Sequence, residues 1–472
     1  MQYKFVSSSE SNDSVIILFA GWAMDNNPFE GLHRDGYDIV VIWDYRDFTI
    51  DWGIVARYRE ICILAWSMGV YAASMSTHAI DSRITKRIAV NGTLKPVDNR
   101  NGIPVRIFRG TADGLCESSL RKFYRRLAAE RVDFERFQNH QPQRDIKELA
   151  DELAAIYPPP LLSNPPVGKW DLAIIGRMDA IFPAVNQWRA WNEAGVPLTV
   201  CENAGHLMDM QRIIDRHFVD KQMAAERFGR GRRSYDSAAP VQSDIVSRLH
   251  KAMTSCRVTD AIERRGARVL EIGCGTGSLS HRLARHLDSA SFELWDIAGN
   301  APEGIEDYPG NRIIFRRCDA ETAISAIPSD SLDMIASAST IQWFNSPSRF
   351  MRRSMQILGK GGILAFSAFT KGNLAEVEAV TGRSLPMLTA EQWRGIIPAG
   401  FDLLHFEEYA CDMTFDSSID VFRHLKATGV NALGRGGDRT DLRRRIDNYQ
   451  PDLDGKYHIT YRPIIIILKK NG

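Results

Sequence analysis

Three side chains and one glycine loop in this sequence have the residue types and order that catalysis requires. In AWSMG, residues 65–69, a serine stands between two bulky neighbours where an apolar run gives way to a helical one. This is the pattern of a nucleophile elbow, a tight strand-to-helix turn that displays a serine hydroxyl at the edge of a parallel sheet. The first small residue is Ala65 rather than glycine and the second is Gly69; a helix N-cap is the competing explanation for Ser67. A serine attacks a carbonyl only when a base takes its proton and an acid orients that base. Both are present downstream in the order Ser, Asp, His: IIGRMDAIFP leads from an apolar run to Asp179, and CENAGH follows the next run with His206. Each falls just past a strand end, where the sites of parallel sheets form. Asp113 in FRGTADG is a rival acid, but it precedes a helical insertion rather than the last strand before the histidine. The backbone N–H groups of Trp22, in FAGWAMD, and of Met68 are placed to form an oxyanion hole. As a side chain, Trp22 reads equally as a packing residue.

The glycine loop is RVLEIGCGTGSLSHRL, residues 268–283, a strand, a turn and a helix in sequence. Gly273, Gly275 and Gly277 let the backbone approach a ligand closely, next to a helix N-terminus. Their Gly-x-Gly-x-Gly spacing is not that of dinucleotide binding. Glu271 precedes the loop and Asp296 closes the following strand in FELWD; an acid there suits the two hydroxyls of a ribose. The third strand ends in CDAE, where Asp319 is placed to accept from an adenine amino group with Ala320 beside the ring. Asp319 reads equally as a turn or N-cap aspartate.

The elements that must carry these residues alternate strand and helix twice. SVIILFAG, YDIVVIWD, EICILAWS, KRIAVNGT, KWDLAIIGRMD and VPLTVCENAGH form the first series. Continuous apolar strands alternating with helices imply a parallel sheet covered on both faces. Residues 115–157 read as helices inserted between strands, closed by PPPLLSNPP at 158–166, since proline-rich sequence cannot continue a helix. Between about 212 and 235 the chain turns charged and then arginine- and glycine-rich, which puts a domain boundary near 218–222. ARVLEIGCG, SFELWD, RIIFRRCD, SLDMIASA and GGILAFSAF start the series again, and HFEEYACDMTF and YHITYRPIIIILKK end it as an antiparallel hairpin. The expected organisation is therefore two α/β domains, 1–218 and 219–472.

Bulk properties agree with a soluble protein of two cores: 472 residues, 44% hydrophobic, 25% charged and a formal net charge of +1. Nothing in that balance calls for nucleic acid. The longest apolar runs are far shorter than the ~20 residues of a membrane helix, and MQYKFVSSSESND lacks the pattern of a signal peptide. The expectation is a cytoplasmic protein with no membrane partner. Seven scattered cysteines without CxxC pairs suggest neither disulfides nor a metal site, but reduced and mostly buried thiols.

At FAGWAMD, AWSMGV, NGTLKPVD, GIPVRIFRGTADGL, RKFYRR and GRMDAIFPAVNQW the first half resembles the BioG-type pimeloyl-[acyl-carrier protein] methyl ester esterases of biotin synthesis. That resemblance implies an α/β-hydrolase fold with a helical lid and an acyl-enzyme on Ser67, with His206 moving the proton and Asp179 holding the imidazole. Phe123, Arg125 and Arg126 would belong to the lid, the arginines facing an acidic carrier protein; a solvated helix face accounts for KFYRR equally well. The second half resembles the class I S-adenosylmethionine-dependent methyltransferases, with a Rossmann-like fold. SYDSAAPVQ, STIQWFNSP and FRHLKATGVNALG narrow that to the malonyl-[acyl-carrier protein] O-methyltransferases, BioC; RGRR at 230–233 departs from the smaller residues usual there. The implied acceptor is a malonyl carboxylate, and Tyr235, Gln342, Trp343 and Arg423 are the residues suited to position it. Arg423 and Lys426 read equally as carrier-protein surface, and RRR at 443–445 as a solvated charged face. Together the resemblances imply that one domain caps malonyl-acyl carrier protein as a methyl ester and the other removes the cap after chain elongation. Two different organisations compete: a natural-product methyltransferase fused to a thioesterase or lipase-like hydrolase, and a methyltransferase with a non-catalytic carrier-docking domain.

Overall fold

The computed structural model describes the chain apart from residues 11, 159–168, 259–261, 263–265, 288, 383, 430–445, 447, 448 and 472, and apart from the side chains of 131–133, 136, 231 and 233–237. PPPLLSNPP after Pro158, RRR at 443–445, the side chain of Tyr235 and the end of FRHLKATGVNALG therefore lie outside the described residues. The chain divides into two compact units, Met1–Asp215 and Arg216–Gly472.

In the first unit each apolar run becomes a strand: β1 (Gln2–Ser7), β2 (Ser14–Phe19), β3 (Tyr37–Trp43), β4 (Glu60–Trp66), β5 (Ile84–Val90), β6 (Leu172–Gly176) and β7 (Leu198–Cys201). They form one sheet in the order β1-β3-β2-β4-β5-β6-β7. All neighbours are parallel except β1, which runs antiparallel to β3. β1 is an element the sequence reading passed over, because QYKFVS is no apolar run: it lies at the sheet edge, exposed over its first three residues and half-buried over its last three. β2 to β5 are buried along their whole length, as expected of strands covered on both faces. Helix α1 (Met68–Ser76) follows β4 directly, and among the described residues four helices stand between β5 and β6: α2 (Val105–Asp113), α3 (Glu117–Leu127), α4 (Arg131–Gln138) and α5 (Ile146–Ile156). The insertion thus starts near 105 rather than 115, because Pro104 sets up the first turn of α2. Helix α6 (Ala184–Glu193) links β6 to β7, and α7 (Met210–His217) carries the chain past the division at Asp215.

The second unit opens with α8 (Lys221–Ala238) and α9 (Pro240–Ser255), with Pro240 at the first helical position, where its missing N–H costs nothing. Its strands are β8 (Arg268–Ile272), β9 (Ser291–Asp296), β10 (Arg312–Arg317), β11 (Leu332–Ser337), β12 (Leu358–Phe369), β13 (Phe401–Glu408), β14 (Cys411–Phe415), β15 (Tyr457–Tyr461) and β16 (Pro463–Lys470). The sheet order is β10-β9-β8-β11-β12-β16-β13, parallel up to β12. β16 runs antiparallel to both of its neighbours. The expected terminal hairpin is therefore divided: β16 inserts between β12 and β13, while β14 and β15 pair as a separate two-stranded sheet. The division falls at Pro463, which starts β16. Five apolar residues, Ile464 to Leu468, are fully buried there, which only an interior strand allows.

All seven cysteines are free, but only Cys62 and Cys274 are buried; Cys116 is exposed and the others are half-buried. Among the described residues no cluster of His, Cys, Asp and Glu could hold a metal, and no helix is long and apolar enough to cross a membrane.

Candidate active sites

Ser67 occupies the turn between β4 and α1 with φ 60° and ψ −128°, a strained backbone for a residue with a side chain. Its surroundings enforce the turn. A Cβ on Gly69 would lie 2.4 Å from the Phe19 carbonyl oxygen, and one on Gly92 2.2 Å from that of Ser67 itself. Ala65 is fully buried, in register with Phe19 and Ala89 on the flanking strands, which accommodate its methyl group in place of the usual glycine. The serine hydroxyl does not cap α1. It lies 2.9 Å from His206 Nε2, and His206 Nδ1 lies 2.8 Å from Asp179 Oδ2. An ionised carboxylate only accepts, so Nδ1 carries the ring proton and Nε2 is left to receive the one from Ser67. Asp113, by contrast, is exposed at the end of α2.

Residues that the sequence reading missed hold this relay in place. Asn91, just past β5, donates from Nδ2 to the carbonyls of Gly205 (2.8 Å) and His206 (2.9 Å), and its Oδ1 accepts from Gly176 N–H. Trp66 donates from Nε1 to the His206 carbonyl at 2.8 Å. Phe182 stacks on the imidazole, with ring centroids 5.9 Å apart and planes at 4°. Asn91 follows a strand end, the one signal that could have marked it.

A cavity of about 40 Å³ opens at Ser67, lined by Trp22, Met68, Phe123, Arg126, Leu153 and others. Met68 opens α1, so its N–H precedes the first intrahelical acceptor. Trp22 both packs and faces the cavity: Nε1 donates to the Leu149 carbonyl at 3.0 Å, and its ring meets Phe123 edge-on at 4.9 Å. Arg126 reaches the Ala180 carbonyl at 3.4 Å. Arg125 does not join them; it is exposed, its guanidinium 5.8 Å from the Phe134 ring.

In the second unit a cavity of about 980 Å³ includes Glu271, Gly273, Gly275, Asp296, Asp319 and Ala320 in its lining. The three loop glycines all have positive φ, 71°, 53° and 96°. A Cβ on Gly273 would fall 1.9 Å from Thr340 Oγ1 and one on Gly277 2.5 Å from Pro302, while one on Gly275 would meet nothing within 4 Å. Gly275 is therefore the bare backbone that faces open space, and its N–H donates to Asp296 Oδ2 at 2.8 Å. Burial pushes the Glu271 carboxyl up to about 8, the charge of Asp296 adding to this and the Ser280 hydroxyl opposing it. Neither Glu271 Oε2 nor Ser280 Oγ has a hydrogen-bond partner of normal geometry among the described residues. Burial likewise raises Asp296, against the backbone donors that favour its charge.

Asp319 lines the cavity and also caps the short helix after β10, accepting from Glu321 N–H at 3.0 Å and Thr322 Oγ1 at 2.7 Å. Lys221 joins it at 2.9 Å and Glu321 at 2.6 Å. Burial is the largest single influence and opposes the charge of Asp319, but Lys221, the Thr322 hydroxyl and the Glu321 N–H together hold the carboxyl below its ordinary range. Of the acceptor residues, Trp343 lines the cavity, edge-on to Phe228 at 5.3 Å. Gln342 is buried and donates to the Ser339 carbonyl rather than into the cavity. Arg423 is not in the cavity lining: its side chain is 75% exposed and paired with Asp420 at 2.9 Å, one helical turn away on a solvated face.

A parallel sheet with one antiparallel strand before its last member, and a glycine loop at the end of its first strand, defines the second unit as a class I methyltransferase-like Rossmann fold; the first is an α/β sheet bearing a serine, histidine and aspartate relay. The family model for the pimeloyl-ACP methyl esterase BioG matches residues 1–214, and a methyltransferase domain model matches 270–366. A malonyl-[acyl-carrier protein] O-methyltransferase of Bacteroides fragilis is 32% identical over 464 residues, which cover 97% of this chain and 93% of that protein. One from Haemophilus ducreyi is 31% identical over 261 residues, 53% of this chain and 98% of its own. The crystal structure of BioG from Haemophilus influenzae is 32% identical, covering 44% of this chain and 94% of that one, with a TM-score of 0.40. The chain belongs to the malonyl-[acyl-carrier protein] O-methyltransferase family, with a BioG domain preceding the methyltransferase domain.

S-adenosylmethionine is the cofactor of such methyltransferases, and the second cavity fits it. Glu271 and Asp296 offer carboxylates to a cationic ligand, Gly275 gives it bare backbone, and the helix Ser278–His286 begins at the loop.

Proposed function

We propose that the chain is a bifunctional enzyme of biotin-precursor synthesis, with an esterase domain at 1–218 and a methyltransferase domain at 219–472. The methyltransferase domain esterifies the free carboxylate of malonyl-acyl carrier protein, and the esterase domain hydrolyses the methyl ester of pimeloyl-acyl carrier protein, releasing methanol. The observation that carries the reading is the assembled relay Ser67–His206–Asp179 inside the segment that matches the esterase model. The methyl cap makes a charged chain end apolar, which hydrophobic elongation enzymes accept.

For hydrolysis, Ser67 Oγ attacks the ester carbonyl while His206 Nε2 takes its proton. The backbone N–H groups of Trp22 and Met68 donate to the oxyanion. His206 then protonates the departing methoxide, methanol leaves, and a water deprotonated by the same nitrogen releases the acid. A cavity of about 40 Å³ holds only a few water-sized groups, so the acyl chain requires the inserted helices bearing Phe123 and Arg126 to open as a lid. Arg125, being exposed, suits the carrier protein rather than the acyl chain.

For methylation, S-adenosylmethionine supplies an electrophilic methyl group. Glu271 and Asp296 hold its amino-acid and ribose ends, and Asp319 with Ala320 its adenine. Trp343 and Phe228 wall the cavity against water, and Tyr235 is assigned to the acceptor carboxylate. That carboxylate is ionised near neutral pH and needs no base; alignment and desolvation account for the rate.

Complementation tests the pair. Wild type should rescue biotin auxotrophs lacking either the methyltransferase or the esterase. Ser67→Ala should fail only in the esterase strain and Gly275→Val only in the methyltransferase strain. Failure of the wild type in both strains would contradict the proposal.

A further inference from the structure

Asp179 is held by more than its histidine. Its Oδ1 accepts from the N–H groups of Ile181 (2.8 Å) and Phe182 (2.9 Å), and its Oδ2, the oxygen facing His206, also accepts from Gln187 Nε2 at 2.9 Å. Gln187 lies one turn into α6 and is fully buried. The second hydrogen of the same Nε2 goes to the Phe182 carbonyl at 2.9 Å, on the residue whose ring stacks on His206. This fixes which way the amide points, since the flipped rotamer would press Oε1 against two acceptors. In this orientation Oε1 finds no hydrogen-bond partner among the described residues. The amide therefore gives up an acceptor to keep both donors, which a side chain placed only for packing has no reason to do.

We infer that Gln187 is a positioning residue of the esterase reaction: it locks the plane of the Asp179 carboxylate and draws charge from the oxygen that holds His206. The inference rests on the proposed relay. With the donor gone, Oδ2 is freer to turn and more negative, so imidazolium forms more readily. His206 then stays protonated to higher pH, and the ascending limb of the kcat/KM profile, which reports the neutral base, moves up in pH.

The test is hydrolysis of a p-nitrophenyl ester by the full chain, with Ser67→Ala, Gln187→Met and Gln187→Glu measured across pH beside thermal unfolding. Gln187→Met should lower kcat about tenfold to a hundredfold at unchanged KM, the range expected for a lost hydrogen bond to a charged group, with the ascending limb shifted upward. In Gln187→Glu, two carboxyls in contact share a proton. Activity should approach wild type at low pH, where the shared proton restores the donor, and fall toward that of Gln187→Met as it ionises. If Gln187→Met does not fold, the Gln187→Glu profile decides alone. Wild-type pH profiles in both variants, or a loss equal at every pH and matched by lowered unfolding temperature, would overturn the inference. Hydrolysis persisting in Ser67→Ala would instead remove the relay reading itself.

Discussion

Glu271 is the residue whose titration couples most directly to ligand binding. Its carboxyl is raised by burial to about 8, so in the free protein it is largely protonated at pH 7. A cationic cofactor favours the ionised form, which means that binding must expel a proton below pH 8. Affinity for S-adenosylmethionine should therefore rise with pH up to about 8, by up to about tenfold per unit, and level off above. Calorimetry in buffers of different ionisation enthalpy should register proton release at pH 7, absent in Glu271→Gln; a pH-independent affinity would contradict this. In the other unit, Asn91→Ala removes three hydrogen bonds around the histidine loop and strands the Gly205 carbonyl and the Gly176 N–H, while Trp66 still serves the His206 carbonyl. It should cost about 2 kcal/mol of stability, read by denaturant titration, and lower esterase kcat with it. The relay was legible in the sequence because serine, aspartate and histidine each carry chemistry and each follow a strand. Asn91 and Gln187 were not, because an amide announces nothing until the fold brings it to a carbonyl or a carboxylate far along the chain.

At the scale of elements, Lys221 and Glu321 tie the start of α8 to two loops of the second sheet. Glu321 accepts from Asn345 N–H at 2.8 Å and Ser346 N–H at 2.6 Å as well as from Lys221, and Asn345 Oδ1 accepts from Val219 N–H at 3.0 Å. The loop carrying Trp343 is thus fastened to the carboxylate cluster at the cavity wall. Lys221→Met leaves a buried carboxylate unpaired and should destabilise the second unit by about 3 kcal/mol. Amide exchange at Asn345 and Ser346 should quicken in Lys221→Met relative to β8, and unaltered exchange would count against the tie. The strand alternation was readable because parallel strands are apolar throughout. The last strands were misjoined because IIIIL states only that the run is buried; its place between β12 and β13 is set by partners more than fifty residues apart in one direction.

For the whole molecule, the two units carry separate chemistries on one chain. Ser67→Ala should lower esterase kcat/KM by at least about 10⁴-fold and leave methyl transfer intact, with Gly275→Val doing the reverse. Both domain families were recognisable in the sequence from short motifs at strand ends. The acceptor side was less so: Arg423 has the right charge for a carboxylate, yet its helix turns it to solvent. The most direct test of the central claim is to incubate the purified chain with pimeloyl-acyl carrier protein methyl ester and measure methanol and free carrier thiol together. Methanol released in proportion to ester, lost in Ser67→Ala and without thiol, is the expected result; thiol release without methanol would contradict the account.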